Sequence, residues 1–186
     1  MAGIVAHYPR IRLRSRGDPF QTLARSIVGQ QISVKAAQSV WNRLLLAAPG
    51  PTPEAIMRLD VPALRACGLS ERKASYVIEL AQRFADGRLQ PQRWERLEDE
   101  AIIGDLVQVR GIGRWTAEMF LIFNLLRPDV LPVDDLGLQR AVSLVYRRGR
   151  AIDAVGLRRI ARSWQPWRSV ATWYLWRSLD PVPVEY

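Results

Sequence analysis

Apolar side chains recur along this chain at intervals of three and four residues, with almost no strict alternation, and that period predicts a run of helices and no sheet. Asp18 ahead of Pro19 reads as an N-cap and first turn, after which Phe20, Leu23, Ala24, Ile27 and Val28 keep one face as far as Gly29. Ser33 is placed to cap a second helix whose inner face is Val34, Ala37, Trp41, Leu44 and Leu45, stopped by Pro49-Gly50-Pro51. Thr52-Pro53-Glu54 and Asp60-Val61-Pro62 each open a short helix, and Gly68 ends the second. Residues 70–85 form a longer helix with Ala74, Val77, Ile78, Ala81 and Phe84 inward, closed by Asp86-Gly87. Residues 91–97 read as a short, turn-rich helix, and 99–109 lead into a glycine turn.

Residues 114–126 are apolar nearly all round, which marks them as the central buried helix. Arg127-Pro128-Asp129 breaks it; Asp134 or Asp135 then starts a helix through 147, Asp153 caps one reaching Trp164, and Pro166 opens a last one to about 179. No internal repeat or low-complexity tract interrupts the pattern. The expected fold is all-α: a two-lobed helical bundle in which two helices joined by a glycine hairpin (helix-hairpin-helix) and an acidic loop lie at the cleft between the lobes.

Composition narrows the function. A chain of 186 residues that is 48% hydrophobic fits one compact domain, or two small lobes sharing a core. A net charge of +9 points to a polyanionic partner, though charge alone does not separate DNA from RNA or an anionic membrane. Lys35 and Lys73 are the only lysines, so the positive charge is nearly all guanidinium, which suits bidentate contact with phosphate. Cys67 is the sole cysteine, which rules out an intramolecular disulfide and a cysteine-rich zinc or iron–sulfur site. His7 is the sole histidine, read as an exposed side chain without a role, and its solitude argues against histidine triads and histidine-rich metal centres. Residues 1–16 are basic but carry no apolar run long enough for a secretory signal, so a cytoplasmic protein with no membrane contact is the expectation.

The most informative stretch is Leu106-Val107-Gln108-Val109-Arg110-Gly111-Ile112-Gly113-Arg114-Trp115-Thr116-Ala117, followed by Leu131-Pro132-Val133-Asp134-Asp135. A Gly-x-Gly turn running straight into a helix presents backbone N–H groups at a positive dipole end, where a phosphate binds. Both glycines have a reason to be there: a tight hairpin needs positive φ, and a phosphate approaches backbone closely only where no Cβ intervenes. Asp135 follows Trp115 by twenty positions, so one element can hold a strand while another does chemistry. From the residues alone, a carboxylate before an apolar helical pattern is an N-cap, and either Asp134 or Asp135 can fill that place.

These residues resemble the helix-hairpin-helix DNA glycosylases, and within them the alkylpurine, 3-methyladenine DNA glycosylase II-like branch. Four segments match in order: Asp18-Pro19-Phe20 with 24–37, Gly68-Leu69-Ser70 with Arg72-Lys73-Ala74, the hairpin with its acidic loop, and Trp164-Gln165-Pro166-Trp167-Arg168-Ser169 running to Trp176. The resemblance implies a single glycosylase unit over 1–186, acting as a monomer on damaged duplex DNA, with no N-terminal sheet domain. It places the catalytic aspartate at Asp135, and base-binding side chains at Trp115, Met119, Trp176 and, less directly, Tyr174. It implies DNA contacts from Gln30, Gln31, Ser33, Gly111, Gly113, Arg114 and Thr116, with Gln30 or Gln31 filling the gap left by a flipped nucleotide. No cofactor is required; a structural monovalent cation on the backbone carbonyls of Val107, Val109 and Ile112 is implied.

Relatives that cleave the strand carry a lysine where this chain has Trp115, and an indole forms no Schiff base, so simple hydrolysis to an abasic site is expected. Alkylated purines are cationic, which favours stacking on aromatic side chains and weakens the glycosidic bond, in keeping with a chain short of general acids. Arg110 stands where proline often precedes the first glycine, and Met119 where the best-known relative has an aromatic. Two alternatives remain at this point: a glycosylase for another lesion (ethenoadduct, deaminated or oxidised), or a noncatalytic helix-hairpin-helix DNA-binding module.

Overall fold

A computed structural model describes residues 1–9 and 13–180, so Arg10 and Arg12 of the basic leader lie outside the described residues. Within them all regular structure is helical. The elements are α1 (Ala2–His7), α2 (Pro19–Gly29), α3 (Val34–Ala47), α4 (Pro53–Met57), α5 (Val61–Ala66), α6 (Glu71–Ala85), α7 (Pro91–Trp94), α8 (Asp99–Leu106), α9 (Arg114–Phe123), α10 (Leu136–Arg147), α11 (Ala154–Ala161), a 3-10 turn (Arg162–Trp164) and α12 (Arg168–Leu179). No helix among the described residues is long and apolar enough to cross a membrane.

Most helix starts follow from capping chemistry. Asp18, Ser33, Thr52, Asp60, Ser70 and Asp153 each accept the amide three residues on, satisfying a donor that the first turn otherwise leaves unpaired. Four details differ from the sequence pattern. Residues 2–7 of the leader form α1, which lies against α12 and is fastened by the Tyr8 hydroxyl donating to the Arg177 carbonyl (3.1 Å). Val34 is exposed; the covered face of α3 is Val40, Trp41 and Leu44, because the first turn of that helix projects from the bundle. Helix α9 ends at Phe123, not 126: Leu126 turns to φ 54° and the Arg127 amide folds back onto the Leu121 carbonyl (2.9 Å), as Pro128 disfavours helix at the residue before it. Pro166 stands outside α12, whose first amide, that of Arg168, is capped instead by the Asp129 carboxylate (3.1 Å).

The chain divides into two compact units, the boundary falling at Leu121 within α9. The unit from Arg16 to Phe120 packs α2 against α3 and α6, with α4 and α5 also on α6. Its core holds a ladder of edge-on rings, Phe20 to Phe84 (5.3 Å between centroids), Phe84 to Trp94 (6.2 Å) and Trp94 to Phe120 (5.3 Å). Each such pair adds about 0.5–1.5 kcal/mol beyond the area it buries.

The other unit joins the leader to the residues after Phe120 and packs α10 against α12, with Leu138, Val142, Leu157 and Leu175 fully buried. Its loop 127–130 is stitched to the start of α12. The Ser169 amide donates to the Pro128 carbonyl (3.0 Å), the Ser169 hydroxyl donates to the Arg127 carbonyl (2.6 Å), and the Val130 amide donates to that hydroxyl (2.9 Å). Asp129 and Arg168 close the seam with paired 2.8 Å hydrogen bonds. The acidic loop therefore leaves a fixed point.

Candidate active site and DNA-holding turn

Asp135 begins α10. Its amide donates to the Pro132 carbonyl (3.1 Å), and the Gln139 amide group ties down the Val133 carbonyl (2.8 Å), so the loop enters the helix in one conformation. Oδ1 of Asp135 accepts from the Leu138 amide (2.6 Å), the N-cap bond expected of an acid in this place. The same oxygen also accepts from Nε1 of Trp176 on α12 (2.8 Å), and the residue is only 9% exposed. The indole in turn stacks on Phe123, with centroids 5.8 Å apart and planes 18° from parallel. A carboxylate, a helix N-terminus and a stacked aromatic pair thus meet at one point, where low dielectric magnifies the field of the anion. Asp134 is exposed.

Gly137 completes this group and was not singled out from the sequence. A Cβ there would lie 3.1 Å from Oδ1 of Asp135 and 3.3 Å from Cδ1 and Nε1 of Trp176, tighter than side-chain packing normally allows. A glycine inside the helix expected after Asp135, where alanine would be the better helix former, was the available signal. Tyr174 is engaged elsewhere: its hydroxyl donates to the Tyr8 carbonyl (3.5 Å) and its ring meets Trp173 edge-on (5.3 Å).

The second group of expected residues surrounds the turn between α8 and α9. Gly111 has φ 89°, and a Cβ on it would meet Tyr76 Cδ2 at 2.3 Å, so only glycine fits. Gly113 differs: its φ is not positive and nothing lies within 4 Å of an added Cβ, so the turn does not require it, and its open flank is where backbone can be approached. The Gly113 carbonyl accepts from Ala117 (3.0 Å), opening α9 with its first-turn amides at the positive end of the helix dipole.

Arg110 is held within the fold: it pairs with Glu79 (2.5 Å) and its guanidinium lies 6.0 Å from the Tyr76 ring centroid. Burial pushes the Glu79 carboxyl up, but hydrogen bonds from Arg110 and Arg83 outweigh it and hold the group below its usual 4.5. Arg114 bonds Glu100 through both terminal nitrogens and Glu118 through Nε (3.1 Å), so its backbone, more than its side chain, faces the task expected of it. Trp115 is 43% exposed, Met119 half-buried, and Thr116 largely covered. Val109 and Ile112 are buried and Val107 exposed; the Val109 carbonyl accepts from the Ile112 amide (3.0 Å), which leaves it a second lone pair. Neutral carbonyl oxygens at the negative end of α8 are a donor set that fits a monovalent cation.

The loop after α2 is joined to this turn. Gln30 donates from its side chain to the Gly111 carbonyl (2.7 Å), while Lys73 reaches from α6 to donate to the carbonyls of Val28 (2.9 Å) and Gln30 (2.6 Å). Burial, with Arg72 adding to it, draws the Lys73 ammonium below its usual 10.5. Gln31, next along, is exposed at φ 58°, a strained conformation for a residue with a Cβ. Ser33 caps α3, accepting from the Ala36 amide (3.2 Å).

The family described as HhH-GPD superfamily base excision DNA repair protein matches residues 24–166, and the chain belongs to it. Among individual relatives, DNA-3-methyladenine glycosylase 1 of Schizosaccharomyces pombe is 35% identical over 179 residues, covering 94% of this chain and 78% of that protein. The crystal structure of DNA-3-methyladenine glycosidase from Bacillus halodurans is similar at TM-score 0.88 and 36% identity, covering 98% of this chain and 90% of that one. The S. pombe 3-methyladenine DNA glycosylase Mag1, in complex with abasic DNA, is similar at TM-score 0.83 and 32% identity, covering 100% and 92%.

Proposed function

We propose that the chain is a monofunctional DNA glycosylase that hydrolyses the N-glycosidic bond of alkylated purines, of the 3-methyladenine and 7-methylguanine type, in duplex DNA. The observation that carries this reading is the 2.8 Å hydrogen bond from Trp176 to the buried Asp135, in a chain akin to glycosylases named for 3-methyladenine. In this reaction a water adds to C1′ and gives up a proton to the solvent as the bond to the purine breaks, and the electron pair of that bond leaves with the base. Positive charge develops at C1′ on the way, so the Asp135 carboxylate stabilises the transition state more than the ground state. An N-alkylated purine is already cationic; it departs neutral and needs little help from an acid. Trp176, on its Phe123 support, supplies an electron-rich face for that cation.

Strand cleavage through a Schiff base needs a free amine, and the lysines are only Lys35 and Lys73. The Lys73 amine is held by two backbone carbonyls, and Trp115 stands where the resemblance puts a lysine in strand-cleaving members of the superfamily. The turn from Gly111 to Thr116 holds a backbone phosphate on its amides. Gln31 fills the space of the everted nucleotide, since Gln30 is committed to the Gly111 carbonyl and Gln31 is the exposed, strained member of the pair.

The test is a panel of duplexes each carrying one modified base, with released bases identified by mass. Release of N-methylpurines by the wild type, its loss in Asp135→Asn, and retained binding by that variant are expected. Release of undamaged or oxidised bases alone would overturn the substrate class, and release by Asp135→Asn would overturn the catalytic assignment.

A further inference from the structure

Positive charge is concentrated away from the residues described so far. Between positions 140 and 162 the chain carries seven arginines, Arg140, Arg147, Arg148, Arg150, Arg158, Arg159 and Arg162, against a single acid, Asp153. All seven are exposed, and among the described residues none makes an ion pair. Elsewhere the pattern is mixed: Arg83, Arg88, Arg110, Arg114 and Arg168 each face a carboxylate, whereas Arg58, Arg65, Arg93 and Arg96 make no ion pair among the described residues. Asp153 is spent on capping α11, accepting from the Gly156 amide (2.8 Å).

The segment that presents the first of these arginines is ordered. The Gly149 amide donates to the Ser143 carbonyl (2.9 Å), the Arg150 amide to the Arg147 carbonyl (3.1 Å), and the Ser143 hydroxyl to the Arg150 carbonyl (2.8 Å). Arg148 is held at φ 52°, a position that ordinarily favours glycine. Arg147 and Arg159 border one depression of about 560 Å³ between the end of α10 and the start of α11. Unpaired guanidinium groups bordering one depression, as Arg147 and Arg159 do, repel each other, and a polyanion relieves that repulsion.

We propose that the end of α10 and helix α11 form a second surface for duplex DNA, a sequence-independent contact with backbone phosphates made by residues other than those of the Gly111 turn. Planar guanidinium groups suit bidentate contact with phosphate, and contacts to phosphate carry no base readout. The proposal rests on duplex DNA being the partner. Its effect falls on affinity and its salt dependence, not on the chemical step.

The experiment measures binding to an undamaged duplex across a range of salt concentrations for the wild type, for Arg147→Gln/Arg148→Gln/Arg158→Gln/Arg159→Gln, and for a charge-matched control, Arg58→Gln/Arg65→Gln/Arg93→Gln/Arg96→Gln. Every phosphate left without its arginine lowers the slope of log K against log salt by about 0.9, so the first variant is expected to drop roughly 2 to 4 in slope and the control less than about 1. Single-turnover base release at saturating DNA is expected to be unchanged. An equal drop in both variants would mean net charge alone is at work and would overturn the proposal. An unchanged slope would also overturn it, leaving the surface to an acidic protein or to no partner. Should the fourfold variant unfold, Arg158→Gln/Arg159→Gln leaves the α10 terminus intact and is expected to show about half the change. Absent base release in the wild type would sink the glycosylase reading, while the slopes would still decide this one.

Discussion

Oδ1 of Asp135 accepts hydrogen bonds from both the Leu138 amide and the Trp176 indole, so one oxygen serves as helix cap and as partner of the aromatic (2.6 and 2.8 Å). Asparagine caps as well as aspartate, so Asp135→Asn is expected to unfold at nearly the wild-type temperature. Base release should nevertheless fall by about 10²-fold or more, since the variant removes the charge that opposes the developing cation. Trp176→Phe keeps a ring against Phe123 but loses the N–H donor. Its single-turnover rate is expected to drop less, by roughly tenfold, the share of one charge-assisted hydrogen bond.

The glutamine pair separates stability from activity. Gln30→Ala forfeits the bond to the Gly111 carbonyl and is expected to lower unfolding free energy by about 1 kcal/mol. Gln31→Gly relieves a left-handed Cβ, a gain offset by the extra freedom of the unfolded chain, so stability should stay within about 1 kcal/mol of wild type. Nucleotide eversion, followed by 2-aminopurine fluorescence beside the lesion, should weaken markedly in Gln31→Gly. An unaffected signal there would make Gln30 the wedge.

Much of this architecture was legible because helix capping is local chemistry: Asp18, Ser33 and Asp153 were readable as caps, and each is one. The Asp135 reading was legible only as two alternatives, cap or chemistry. The cap is made, and the carboxylate oxygen that makes it also receives the indole, so the alternatives are compatible. What escaped the sequence depends on partners far along the chain. Lys73 reaches back 45 residues to Val28, Asp129 caps a helix 39 residues on, and Arg114 turns to Glu100. No periodicity records such pairings, and the leader helix α1 is too short and too mixed in pattern to announce itself.

Gly111→Ala meets two obstacles at once, an unfavourable φ and the Tyr76 ring. A loss of about 1–3 kcal/mol in unfolding free energy is expected, with weakened DNA binding. Tyr76→Ala in the same chain should restore only the steric part, because the backbone angle remains strained. Chemical denaturation of the single and double variants measures the split.

Asp129 supplies a pH dependence. Burial pushes its carboxyl up, and the hydrogen bonds and charge of Arg168 more than reverse this, holding it below the ordinary 3.8. A depressed acid stabilises the fold fully above its unfolded value and loses that contribution as pH falls through its folded value. Thermal unfolding followed from pH 6 down to about 2 should therefore show a decline setting in below about 4 that is shallower in Asp129→Asn. Equal slopes would remove Asp129 as the cause.

The absence of a free amine at the turn predicts that borohydride traps no covalent complex between the wild type and lesion DNA. Trp115→Lys introduces an amine at a 43% exposed position. A trapped species in that variant alone is the expected result, and trapping of the wild type would overturn the monofunctional assignment.

The bare Cα at Gly137 turns the proposed active centre into a gauge. Alanine, serine and valine at that position would each press the indole and the carboxylate apart by a further increment, starting from a 3.1 Å approach to Asp135. The rate measured along that series would report how many tenths of an ångström of misalignment the hydrolysis tolerates, a calibration that deletion of either partner does not provide.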